Sequence, residues 1–77
     1  MIPSFHGWLL LNKIRSEGGI VIIKLDGQRA VKIYTVTISG GSLGEEYFRK
    51  DGDDLELLIV EAVNFYDNIV WSRRRDS

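Results

Sequence analysis

Four carboxylates fall within six residues at Asp51-Gly52-Asp53-Asp54-Leu55-Glu56 of this 77-residue chain. Such a run could hold a divalent cation, supply a catalytic acid pair or start a helix. A calcium loop of EF-hand type needs acidic residues alternating at its first, third and fifth places and glycine at the sixth. Asp51 and Asp53 satisfy the first two places, but Leu55 and Glu56 occupy the next two, so the pattern fails. A catalytic pair needs a cleft and contrasting environments to separate two carboxyl pKa values, which an exposed turn does not offer. A helix start accounts for more of the residues. Asp53 reads as the N-cap, Glu56 as its capping-box partner, and Asp54 as a charge favoured by the helix dipole. Asp51-Gly52 supplies the turn before it.

The remaining chemistry-bearing residues are sparse. His6 is the single histidine and there is no cysteine, so a zinc site would have to rely on carboxylates. Ser39 or Ser42 can be combined with His6 and Asp51 on paper, but no nucleophile-elbow pattern surrounds either serine. Gly40-Gly41-Ser42-Leu43-Gly44 follows a strand as a phosphate cradle would. It lacks the Gly-Lys-Ser/Thr signature, and Glu45-Glu46 come next, which repel phosphate. No catalytic residue, cofactor-binding residue or metal ligand is assigned, and the chain reads as non-enzymatic.

The elements that must position these residues follow from periodicity. Ser4 as N-cap opens a helix over Phe5 to Glu17, and Gly18-Gly19 closes it. β-branched runs over 20–25 and 28–38 flank Asp26-Gly27, a two-residue hairpin signal that pairs Leu25 with Gln28 and Val21 with Lys32. Ser39-Gly40-Gly41-Ser42 turns the chain into a third strand over Leu43 to Lys50. Leu55, Leu58, Ile59, Ala62, Tyr66, Ile69 and Val70 form the apolar stripe of a last helix running to about Trp71. The expected fold is α+β, a single domain over residues 1–77 in the order α-β-β-β-α. Two helices pack on one face of a three-stranded antiparallel sheet, and residues 1–3 and 73–77 fray.

That order resembles the double-stranded-RNA-binding domain, which grips phosphates with a basic patch at the start of its last helix. Here the corresponding residues are Asp53, Asp54 and Glu56. Arg49, Lys50, Arg73, Arg74 and Arg75 remain as a weak basic patch, and nucleic acid binding is the alternative reading. Residues 20–66 carry a second resemblance. Tyr34-Thr-Val-Thr-Ile38, leading through Gly52-Asp53-Asp54-Leu55-Glu56 to Glu61-Ala62, is similar to HicB-type antitoxins, whose hairpin leads to Gly-Asp-x-x-Glu-Glu-Ala at the last helix. Ser39-Gly40-Gly41-Ser42 replaces that family's Pro-Asp-Leu-Pro-Gly segment, and the first helix is additional. The resemblance implies a small bacterial module that binds and neutralises another protein, as antitoxins and immunity proteins do.

Strand alternation sharpens this expectation. Val21, Ile23 and Leu25 share a face with Ala30, Tyr34, Val36 and Ile38, the natural core. Ile20, Ile22, Val31 and Ile33 stand on the other face, a patch of a few hundred Å² at the scale that marks a contact. Either they form an interface, or the first helix crosses to cover them, or a bulge near Lys32 re-phases the strand. A homodimer or a protein partner is expected. A net charge of −1 gives no global attraction to nucleic acid or anionic lipid, and no apolar run is long enough to span a bilayer. No small-molecule substrate is evident. Met1 to Ser4 lack a basic n-region, so no signal peptide is read and the cytoplasm is the expected compartment.

Overall fold

The computed structural model describes residues 6–75 and places the β-branched segments in one antiparallel sheet of order β1-β2-β3. These are Ile20–Leu25 (β1), Tyr34–Ser39 (β2) and Tyr47–Gly52 (β3). Gly7–Ser16 (α1) precedes the sheet and Leu55–Tyr66 (α2) follows it. The chain is therefore an α+β fold in the order α-β-β-β-α. Val36 and Ile38 on β2 are fully buried beneath Ile14, Ile59, Ala62 and Tyr66 of the helices. α1 packs on β1, and α2 packs on β2 and β3, all from the same side. No helix among the described residues is long and apolar enough to cross a membrane.

The hairpin register differs from expectation. Leu25 pairs with Tyr34, not Gln28, and Val21 with Ile38, so eight residues, 26–33, connect β1 to β2. Asp26-Gly27 still forms a local turn, in which the Gln28 amide donates to Asp26 Oδ1 at 2.9 Å. The loop closes where the Asp26 amide meets the Ile33 carbonyl at 2.8 Å. The physical reason lies in the central position of β2, which must pair on both sides. Tyr34-Thr-Val-Thr-Ile38 suits that place better than Gln28 to Lys32, whose polar residues gain nothing from a central strand. The slip is six residues, an even number, so each strand keeps its faces.

The third strand begins four residues later than expected. A short 3-10 turn over Gly41–Leu43 intervenes and drives Leu43 into the core at 4% exposure. α1 ends in a Schellman turn: Gly18 takes φ +93°, its amide reaches the Arg15 carbonyl, and the Gly19 amide reaches Ile14, each at 3.0 Å. Gly41, at φ +55°, lies so close to this turn that a Cβ there would sit 2.8 Å from Gly18 C and Gly19 N. The Ser4 cap and Phe5 fall outside the described residues, and α1 starts with His6 in the N-cap place without a side-chain bond.

Helix α2 changes pitch before it ends. Asp67–Trp71 form a π turn, and Ser72–Arg75 return to α-helix (α3). Residues 73–75 of the segment expected to fray are helical, and the other residues expected to fray, 1–3 and 76–77, lie outside the described residues.

The backbone contact at Gly41 yields a prediction. Gly41→Ala should destabilise the protein by about 1–3 kcal/mol, because the methyl group meets backbone at a positive φ. Gly27→Ala, with nothing within 4 Å, should stay within about 0.5 kcal/mol of wild type. Urea unfolding followed by circular dichroism separates the two.

Candidate functional site

The acidic stretch is used up by the fold. Asp54, not Asp53, is the N-cap of α2: it has extended φ/ψ, and its Oδ1 accepts the Leu57 amide at 3.2 Å. Glu56 then falls one place short of a capping box and only adds charge to the first turn. Asp53 turns the other way and accepts the amide of Lys32, a residue held at φ +53° in the long loop. Asp51 accepts the Thr35 hydroxyl at 2.6 Å and faces Arg29 at 3.4 Å. The Thr35 bond, helped by Arg29 and Arg49, holds the Asp51 carboxyl below the usual aspartate value. The sequence expectation of a cap holds for the segment and shifts by one residue within it. Among the described residues no group of three or more His, Cys, Asp or Glu could hold a metal ion.

A second polar cluster was not visible in the sequence. Glu17, just past α1, accepts the Tyr66 hydroxyl at 2.8 Å and the Trp71 indole N–H at 3.1 and 3.2 Å. Arg74 pairs with the same carboxylate at 3.2 Å and donates to Ser42 Oγ at 3.1 Å. Lys13 Nζ stands 4.9 Å from the centre of the Trp71 ring, which meets Tyr66 edge-on. The π turn makes this possible. Residues five apart diverge by roughly 140° around an α-helix, whereas the wider turn aligns Tyr66 and Trp71 on one carboxylate. Burial alone would raise the Glu17 pKa, but the Tyr66 and Trp71 donors, with Arg74 and Lys13, outweigh it and lower it. Burial, then the bond to Glu17, raises that of Tyr66. Glu17 thereby ties the end of α1 to the last helical segments, and Arg74 links these to the 3-10 turn through Ser42.

The surface that the helices leave open is the outer face of the sheet. Alternation places Ile20, Ile22 and Lys24 of β1 there, beside Ser39, Thr37 and Thr35 of β2 and Tyr47, Arg49 and Asp51 of β3. Ile20, Ile22 and Tyr47 are 54%, 53% and 65% exposed. Helix α1 does not cross to cover them, and the even slip leaves no bulge-shifted face. Two of the four expected interface residues are therefore brought together, Ile20 and Ile22. Val31 lies exposed in the long loop, and Ile33 ends that loop half-buried, so neither opposes them. Tyr47 takes their place. The signal for it was the alternation of Tyr47 with Phe48, which packs inward on Phe65 at 5.7 Å.

The expected basic patch does not assemble. Arg49 points outward and Lys50 inward, where Lys50 pairs with Glu61 at 2.6 Å. Arg74 is tied to Glu17 and Ser42, Arg75 pairs with Asp67 at 3.0 Å, and Arg73 is exposed.

Both clusters yield predictions. Asp54→Ala should cost about 1 kcal/mol as a lost cap, while added calcium should leave the melting temperature unchanged. Glu17→Ala should cost about 1–3 kcal/mol, because it leaves the Tyr66 and Trp71 donors without their acceptor. The lowered Glu17 pKa means its charge-dependent stability is present above the unfolded value and lost as pH falls through the folded one. Urea midpoints measured from pH 7 downward should therefore decline less steeply in Glu17→Gln than in wild type.

No protein-family model matches the chain, and no curated protein or solved structure is significantly similar to it.

Proposed function

With function left to geometry, we propose that the chain is a small non-enzymatic protein-binding module that pairs with a second copy of itself through the outer face of its sheet. The observation that carries this reading is the set of Ile20, Ile22 and Tyr47, more than half exposed on a face that no helix covers. Burying one such side chain contributes about 1.5–3 kcal/mol. A two-fold contact lets one patch cover its own copy, the commonest arrangement of soluble oligomers.

The cations at the Lys24 end of the strands are balanced locally, Lys24 by Asp26 at 3.9 Å and Arg29 by Asp51 at 3.4 Å, so they do not repel a second copy. A face of three six-residue strands is small, at the low end of specific interfaces. The dimer should therefore dissociate in the micromolar range, about −8 kcal/mol. In biological role the module fits a small bacterial inhibitor of antitoxin-like or immunity-like type, in line with the HicB resemblance of residues 20–66, working in the cytoplasm.

The test uses the corrected register. Ile22→Lys should remain folded by circular dichroism and sediment as a monomer at concentrations where wild type is dimeric. Val31→Lys, in the loop, should leave the dimer intact. A wild type that sediments as a monomer throughout the micromolar range would remove the dimer.

A further inference from the structure

β1 is an edge strand, and α1 stands over its inner side. Between them runs an open groove of about 450 Å³, lined by Trp8, Leu11, Asn12 and Arg15 of α1 with Val21 and Ile23 of β1. The inner-face side chains of β1 are not sealed: Val21 and Ile23 are half-buried and Leu25 is 67% exposed.

Main-chain geometry defines what could fill the groove. The Asp26 amide bonds to the Ile33 carbonyl, which sets the phase of the antiparallel ladder. Bonded pairs alternate along such a ladder, so Ile20, Ile22 and Lys24 turn their N–H and C=O groups toward β2. Those of Val21, Ile23 and Leu25 point off the open edge. Natural edge strands are usually guarded by charge, proline or a bulge. β3 is guarded in this way by Arg49, Lys50 and Asp51, but β1 reads Ile-Val-Ile-Ile-Lys-Leu. A row of main-chain donors and acceptors without a partner among the described residues, beside an apolar groove, is matched by one kind of ligand, an extended chain that adds a strand and drops alternate side chains into the groove.

We propose that the β1 edge and the α1 groove form a strand-addition site for an extended segment of a partner protein, apolar at alternate positions and carrying an acidic residue opposite Arg15. Charge selects this occupant. Among the described residues Arg15 is the one charged residue lining the groove, and no carboxylate lines it. A second copy is a poorer match. An antiparallel β1 pair centred on Ile23 would set Lys24 diagonally across from its own copy and bring two basic grooves together. The site is separate from the outer face, so it stands or falls independently of the sheet dimer.

The experiment selects random ten-residue linear peptides, displayed as a library, on the immobilised full-length chain. Synthetic versions of the recovered peptides are then titrated into the ¹⁵N-labelled protein. The expected peptides alternate apolar residues and contain Asp or Glu, and bound peptide should slow hydrogen exchange at the Val21, Ile23 and Leu25 amides. A chemically synthesised full-length chain N-methylated at Ile23 should keep its fold and its sedimentation behaviour, yet bind about fivefold or more weakly. Arg15→Glu should transfer preference to peptides with Lys or Arg in the acidic position. An empty selection, or peptides that leave these three amides unperturbed, would overturn the proposal. So would protection of the same amides that rises with protein concentration alone, since a second copy would then occupy the edge.

Discussion

The carboxylate of Glu17 is the contact on which the arrangement of layers depends. It closes α1 and receives donors from Tyr66 and Trp71, nearly fifty and more than fifty residues away, while Arg74 ties it onward to Ser42. An ionised acceptor makes stronger bonds than a neutral one, and here it is half-buried and receives the donors of two buried rings. The two aromatic residues can reach one carboxylate only because the last helix widens into a π turn between them. Anchored there, α1 lies beside α2 on the inner face and cannot reach the outer one. The uncovered sheet face is thus a consequence of a polar contact formed on the opposite side of the molecule.

At the other end of the sheet the acidic stretch does comparable work. Asp51 holds Thr35 and Arg29, Asp53 holds the Lys32 amide, and Asp54 starts α2. Three neighbouring carboxylates therefore fasten the long β1–β2 loop, the central strand and a helix to one another. Each of the three carboxylates has a local donor, and the stretch that looked most like chemistry is a junction of the fold. The glycines at the opposite end serve in the same way: Gly18-Gly19 and Gly41 permit two turns to touch through backbone alone.

Element order, the inner and outer sheet faces and the apolar stripe of α2 were legible in the sequence because each follows from a local period. What was missed required knowledge of a neighbour. The Asp26-Gly27 signal is real at the scale of four residues, yet the hairpin it implies would have put Gln28 to Lys32 in a central strand. Pairing on both sides of Tyr34–Ser39 decided otherwise. Ile20 and Ile22 kept their face through that change because the slip was even, whereas Val31 and Ile33 left the sheet altogether. Asp53 and Asp54 are equally good caps in isolation, and only the loop amide of Lys32 separates them. Glu17 looked like an ordinary polar helix residue, since nothing local marks a carboxylate whose partners lie in another helix or a π turn that aligns residues five apart.

The functional reading rests on the outer face being a surface for another molecule of the same chain. Its centre is the row Ile22, Thr37 and Arg49, with Ile20 and Tyr47 beside it. Isotope-filtered NOE spectroscopy on an equimolar mixture of ¹³C-labelled and unlabelled protein at millimolar concentration addresses it most directly. Intermolecular contacts from the Ile20 and Ile22 methyl groups to Thr37 or Tyr47 of the other copy are the predicted result. A spectrum with no intermolecular contact to those methyl groups, from a protein whose rotational correlation time is that of a monomer, would contradict it.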